Sequence, residues 1–317
     1  MQWDLSGFIV RFAIGLLSFY LAGATFAFAG GPDSFVEQVA GGTYVHFGEV
    51  SLTTKQNMGD IANLGIVVGK EAAAVIDTGG SAVTGTALLA ALRRVTDKPL
   101  LYVINTHEHP DHIFGDAALE APGVVFVGHH NLPASIRAHG PFYMHAFRDI
   151  LGADAMDAVR LVTPSLLVNA TTELDLGDRK LRLTAWPPPA HSDCDLTVLD
   201  EQTGILFAGD LVFLDHVPVV DGGVKGWLAL LDGLSSLPAT VVVPGHGRRV
   251  APWPEAVADT RRYLLTIQRD ARTAIAAGVP LARAVDTIGM SEQDRWRLFD
   301  DYNRRNATSV FSELEWE

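Results

Sequence analysis

The sequence predicts an α/β protein built as a four-layer α/β/β/α sandwich, two sheets packed face to face with helices outside. Three observations lead there. Two strand-rich blocks, residues 35–77 and 172–208, are each followed by segments whose apolar residues recur at helical spacing. Several strands, among them 72–76 and 100–104, run apolar without alternation, as strands covered on both faces do. Residues able to bind metal follow several of these strands, at polar ends that a sandwich brings to one edge. A chain of 317 residues, 48% apolar, is long enough to bury such a core in one large domain with an appendage.

The first 29 residues stand apart. Arg11 precedes an apolar run over 12–28, and Ala27-Phe28-Ala29 has the small-x-small form cut by signal peptidase. Residues 1–29 read as a secretory signal and the mature protein as periplasmic; an uncleaved membrane anchor is the alternative, because the run approaches spanning length. The sandwich then occupies 30–250. Strands are expected over 42–47, 61–68 and 72–76, the last ending in the turn Asp77-Thr78-Gly79-Gly80. A helix through Ala87, Leu88, Leu92 and Val95 leads to the strand 100–104. A short helix near Ala117, a strand over 124–127 and a helical or irregular stretch over 135–163 follow. The second block places strands at 173–176, 181–183, 196–199 and 205–208, with Gly177 and Gly204 at turns, and the last strand is 241–243. Beyond Pro254 the spacing turns helical over 256–276, 282–288 and 294–303, so 251–317 is expected as a helical extension packed on the sandwich.

A formal net charge of −13 argues against a nucleic-acid partner, which needs clustered Lys and Arg. Cys194 is the single cysteine, so no intrachain disulfide can form and metal is the expected cross-link.

The stretch Asn105 to Gly115, NTHEHPDHIFG, concentrates the metal chemistry. Residues two apart in extended chain point the same way, so His107 and His109 can face one ion, while the next turn offers Asp111 and His112 to a neighbouring position. Imidazole and carboxylate without thiolate suit zinc and tolerate iron or manganese. His191, Asp210 and His246 each follow an apolar strand and can converge on the same edge. Five His and two Asp suffice for two zinc ions roughly 3.5 Å apart.

Five motifs in order, VIDTG at Asp77, THEHPDH, AHSDCD at His191, FAGD at Asp210 and PGHG at His246, resemble those of the metallo-β-lactamase-fold hydrolase superfamily over about residues 35 to 250. That resemblance implies that His107, His109 and His191 hold a first zinc and Asp111, His112 and His246 a second. It also implies that Asp210 bridges them, that Asp77 supports the metal loop from behind, and that Asp111 and His112 count among the catalytic residues. Asp at the fourth motif favours a general hydrolase over an antibiotic-degrading one, since the dizinc β-lactamases carry Cys or no ligand there. AHSDCDLTVLDE, LFAGDLVF and the tail YNRRN…FSELEWE are similar to secreted zinc metallohydrolases that accompany quinoprotein alcohol dehydrogenases and sulfur oxidation, so a quinoprotein dehydrogenase system is the expected partner beside a small-molecule substrate.

By the same resemblance, a metal-bridging hydroxide would attack an ester, thioester, lactone or amide carbonyl. No G-x-S-x-G elbow offers a rival nucleophile. A mononuclear iron sulfur dioxygenase, a β-lactamase and a non-catalytic quinone carrier are the alternatives. His216, just past Asp210, and His129, after the strand 124–127, are the candidate substrate contacts. His139, His145, Arg248 and Arg249 read as solvated, and Trp186, Trp227, Trp253 and Cys194 as core.

Overall fold

The computed structural model describes residues 35–187 and 189–317; the signal-peptide reading of 1–29 lies outside the described residues. The first half builds one sheet: β1 (Glu37–Ala40), β2 (Thr43–His46), β3 (Leu64–Val68), β4 (Ala73–Ile76), α1 (Ala82–Val95), β5 (Leu100–Ile104), α2 (Pro110–Ile113), β6 (Val125–His129), α3 (Leu132–Leu151), α4 (Ala153–Asp157) and β7 (Leu166–Val168). Its strands lie in sequence order, antiparallel from β1 to β4 and parallel from β4 to β7. The second half comprises β8 (Thr171–Asp175), β9 (Lys180–Ala185), β10 (Leu196–Asp200), β11 (Ile205–Phe207), α5 (Val224–Ser235), β12 (Val241–Val243), β13 (Ala251–Pro252), α6 (Val257–Ala276), α7 (Leu281–Ala284) and α8 (Phe299–Leu314). Its sheet runs β13-β12-β11-β10-β9-β8.

Alternation along the strands assigns the layers. In β4, Ala74 and Ile76 face the second sheet with Val67, Ile104, Leu183, Val198 and Phe207, while Ala73 and Val75 face α1 with Leu88 and Leu92. On the far side, Leu199, Leu206 and Val242 pack against α5, α6 and α8 through Trp227, Leu264, Ile267 and Val310. The result is the four-layer sandwich that the sequence predicts, with the C-terminal helices forming part of one outer layer. Ser81 caps α1, its side chain accepting from Thr84 N at 3.2 Å, and Arg93 and Arg94 complement the dipole of the last turn.

A buried ion pair cross-links the two sheets. Arg179, 3% exposed, pairs with the fully buried Asp200 and donates to Thr43 and to the Gly41 and Val68 carbonyls, tying the two sheets at their far edge.

Two local expectations change. The helix expected over 294–303 is a 3-10 turn at Met290–Arg295, a break, and α8 from Phe299. The break follows from tertiary bonding: Arg297 N donates to Asp215 O at 2.8 Å and Val217 N to Arg297 O at 3.1 Å, which pulls this backbone into an extended bridge. The helix expected over 282–288 shortens to α7. The short strands β7 and β13 had no pattern long enough to announce them. Among the described residues, no helix is long and apolar enough to cross a membrane.

Candidate metal centre

Strand register brings the polar loops together. Ile76 pairs with Ile104 in the parallel β4–β5 ladder, so Asp77 and Asn105-Thr106-His107 leave the sheet side by side. Phe207 pairs with Val243 in β11–β12, which sets Asp210 beside Gly245 and His246. Leu196 pairs with Ala185, placing the loop that carries His191 at the same edge, and Leu196 N donates to Thr106 O at 2.8 Å across the seam.

At that edge His107, His109, His191 and Asp210 form one group of converging ligand atoms, and Asp111, His112 and His246 an adjoining one. Four of the five imidazoles have one nitrogen hydrogen-bonded behind the ring, and His109 has a carboxylate close to its Nε2. His191 Nδ1 donates to Val219 O (2.8 Å), His246 Nδ1 to Ile61 O (3.0 Å) and His112 Nδ1 to Asp77 Oδ2 (2.8 Å). Thr106 Oγ1 donates to Asp77 Oδ2, so it accepts from His107 Nδ1 at 3.0 Å. His109 Nε2 lies 3.1 Å from Asp221 Oδ2. In the neutral form of each ring these partners turn the lone pair inward, five in all.

The inward atoms fit cations and little else. His191 Nε2 sits 3.0 Å from His109 Nδ1 and 3.3 Å from His107 Nε2, three lone pairs that repel one another unless a positive ion lies among them. His112 Nε2 and Asp210 Oδ1 lie 3.2 Å apart, buried, and neither has a hydrogen-bond partner. Asp210 Oδ2 is 3.4 Å from His191 Nε2 and 3.3 Å from His246 Nε2, so one carboxylate spans both groups. Burial, with the charges of His112 and His109, lowers the His107 pKa well below its ordinary value, and burial takes His191 down to about 4, the ligating form of imidazole. Burial opposes charge on His112 and His246 as well. There the carboxylates win: Asp210, Asp77 and Asp111 raise His112 well above its ordinary value, and Asp210 and Asp111 raise His246 to about 9. Burial opposes charge on His109 too, yet Asp221, Glu108 and Asp111 raise it to about 9, so both groups call for positive charge.

Asp77 braces the loop from behind. Its Oδ1 accepts from Thr106 N (2.8 Å) and its Oδ2 from Thr106 Oγ1 and His112 Nδ1, at a backbone φ of 55° held by these bonds. Gly245 must be glycine, because a Cβ there would stand 1.8 Å from Asp210 Oδ1.

A cleft opens over the ligands, bordered by Thr53, Ile61, Tyr143, Phe147, His216, Val219, Asp221, Tyr302 and Arg305. His216 lies on this cleft. Its Nδ1 donates to Val217 O, and burial brings its pKa down to about 4, leaving a neutral ring with Nε2 as an acceptor. His129, the other candidate contact, does not reach it. It is the last residue of β6 rather than part of the loop, fully buried, with Nε2 donating to Trp186 O (3.1 Å) and Nδ1 accepting from Asn131 N (3.0 Å). Arg249 pairs with Asp215 instead of lining the cleft. Cys194 is buried, its thiol donating to Glu108 Oε2 at 2.8 Å.

The sequence reading missed Asp221, Arg305, Tyr143 and Tyr302. Asp221 closes LVFLDHVPVVDG, where a carboxylate opening a Gly-Gly turn after an apolar run was the available signal. Burial opposes its charge, but His109 and Arg305 hold its pKa well below the carboxylate range. Burial and the charge of Asp111 push Tyr302 up to about 12.

No curated protein matches the chain. Among solved structures, the stereoselective inverting sec-alkylsulfatase Pisa1 from Pseudomonas sp. superposes with a TM-score of 0.68 at 17% identity, over 89% of this chain and 50% of that one. This chain thus spans about half the length of the alkylsulfatase. A metallo-beta-lactamase from Pontibacter korlensis superposes at a TM-score of 0.59 and 22% identity, over 73% of this chain and 98% of that one. DIM-1 metallo-beta-lactamase gives 0.56 and 17%, over 73% and 96%. At these identities the likeness is one of fold. Residues 57–246, which run from before Asp77 to the candidate ligand His246, match the Metallo-beta-lactamase superfamily, and the chain belongs to that superfamily.

Proposed function

We propose that the chain is a dizinc hydrolase acting on an acyl carbonyl in an ester, thioester, lactone or amide. The observation that carries this reading is Asp210, one buried carboxylate facing the ligand groups on both sides. His107, His109 and His191 would hold one ion, Asp111, His112 and His246 the other, and Asp210 both. Zinc bound there supplies Lewis acidity and a water acidified from pKa 15.7 to about 7, a nucleophile at neutral pH.

The chain's own residues do the rest. Asp77 and Asp221 hold His112 and His109 in ligating orientation, the former through its hydrogen bond to Nδ1. Ile61, Phe147 and Val219 give the cleft an apolar wall that limits water around the bound acyl group. His216 accepts a hydrogen bond from the substrate, and the protonated phenol of Tyr302 donates one. Export through the N-terminal segment and service to a periplasmic quinoprotein dehydrogenase are parts of the same proposal.

The experiment is metal content of protein purified without added metal, followed by turnover of a panel of esters, thioesters, lactones, β-lactams and alkyl sulfates. Near two zinc per chain with acyl hydrolysis, abolished by Asp210→Ala, is the expected result. One iron per chain with no hydrolysis overturns it.

A further inference from the structure

We infer that the C-terminal helix α8 is a working part of the first metal site: through Asn306 and Arg305 it positions His191 and His109, whereas the hydrogen bonds that orient the second-site histidines come from the sandwich, and α8 reaches His246 only through the ring packing of Tyr302 on His216. The inference rests on the dizinc reading above.

The loop 217–222 lies between the metal edge and α8, and it touches both. Toward the metal, Val219 O accepts from His191 Nδ1 at 2.8 Å and Asp221 Oδ2 lies 3.1 Å from His109 Nε2. Two of the three first-site histidines are therefore oriented by this loop. Toward α8, Val220 N donates to Asn306 Oδ1 at 3.0 Å and Asn306 Nδ2 donates to Pro218 O at 2.6 Å, so one side chain clamps the residues on either side of Val219. Arg305, next along the helix, pairs with Asp221.

The clamp is fixed from behind as well. Asn306 Nδ2 also donates to Tyr263 Oη (2.8 Å), which donates to Asn303 Oδ1 (2.9 Å), whose Nδ2 donates to Ile288 O (2.8 Å). Asn306 and Tyr263 are fully buried and Asn303 is 3% exposed. Every donor in this chain has its acceptor, which gives Asn306 one orientation and hence the Val219 carbonyl one position. The second site leans elsewhere: His112 on Asp77, beyond β4, and His246 on Ile61 O, before β3. Groups that orient a ligating imidazole are worth about tenfold to a hundredfold in metal affinity. Loosening α8 should therefore cost the first site and spare the second.

The test is a cadmium titration of the metal-free full-length protein, read by cadmium NMR, which separates the site with three imidazoles from the site with two, alongside thermal melting. For Asn306→Ala we expect first-site affinity weaker by about tenfold to a hundredfold and the second-site signal unchanged. Asn303→Ala breaks the same buried chain one link further back and leaves both bonds from Asn306 to the loop; it should lower the melting temperature and weaken the first site less than Asn306→Ala does, with the second site as in the parent. Should Asn306→Ala fail to fold, Asp221→Ala, at a partly exposed position, makes the same measurement on His109. A parent that binds two ions, with the loop variants unchanged or both sites weakened alike, overturns the inference alone. A parent that binds fewer than two overturns the dizinc reading and this inference with it.

Discussion

Replacing Asp116 by Asn probes the strain beneath the metal loop. Asp116 is fully buried; its Oδ1 accepts from Asn105 Nδ2 (3.0 Å) and Thr78 Oγ1 (2.8 Å), and its Oδ2 has no partner. Burial, aided by the charges of Asp77 and Glu120, raises its pKa from 3.8 to about 8 against the pull of the two hydrogen bonds. The unfolded chain releases this proton near pH 4 and the folded chain near pH 8, so the folded state binds more protons in between. The contribution to stability is therefore complete below pH 4 and lost as pH rises to 8. A gap of about four pH units, at about 1.36 kcal/mol each, caps the effect near 5 kcal/mol, of which roughly 3 to 4 falls between pH 5 and pH 8. Asp116→Asn keeps the acceptor that Asn105 and Thr78 use and carries no charge at any pH. Urea unfolding of metal-free parent and variant at pH 5 and pH 8 gives the double difference, in which every other titrating group cancels. The parent should lose about 3 kcal/mol more than the variant over that interval. Equal losses would refute the reasoning and mean that water or rearrangement solvates the carboxylate.

Three other substitutions test the architecture around the centre. Gly245→Ala sets a methyl 1.8 Å from Asp210 Oδ1 and must swing the shared carboxylate away, so metal bound per chain after gel filtration should fall while circular dichroism stays native. Asp77→Ala removes the acceptor of all three donors, His112 Nδ1 among them; competition with a chelator should show one ion bound about tenfold to a hundredfold more weakly, and unchanged affinity would refute the brace. Arg179→Met strands the buried Asp200 charge and should cost about 3 to 5 kcal/mol in urea unfolding without altering metal stoichiometry, which separates the two cross-links of the sandwich.

The sandwich was legible because its strands are long apolar runs and its ligands sit at their ends. VVV before Pro244-Gly245-His246, ILF before Ala208-Gly209-Asp210 and LLYVI before Asn105-Thr106-His107 need no tertiary knowledge to be read as buried strands with polar exits. What was not legible depends on contacts across the chain. The apolar spacing of 294–303 is helical, yet Arg297 is captured by the backbone of Asp215 and Val217, and Leu298 takes a φ of 57° to restart the helix. His129 looked like a loop residue because the strand was ended two residues early; as the last residue of β6 it turns inward to the Trp186 carbonyl. Asp221 and Arg305 lie 84 positions apart, and only the packing of α8 on the loop reveals that they work together.

The ligand inventory divides along the same seam as the fold. His107, His109, Asp111 and His112 come from the first half, and His191, Asp210 and His246 from the second. Neither half can complete either group: the first borrows His191 and Asp210, the second His246. An ion at this edge therefore binds only when the two sheets are packed, and its binding free energy is added to that packing through mass action. The buried pair of Arg179 and Asp200 closes the opposite edge by charge. On the proposed reading, a chain with a single cysteine secures its sheets at both ends without a disulfide, by a buried ion pair at one edge and by metal at the other.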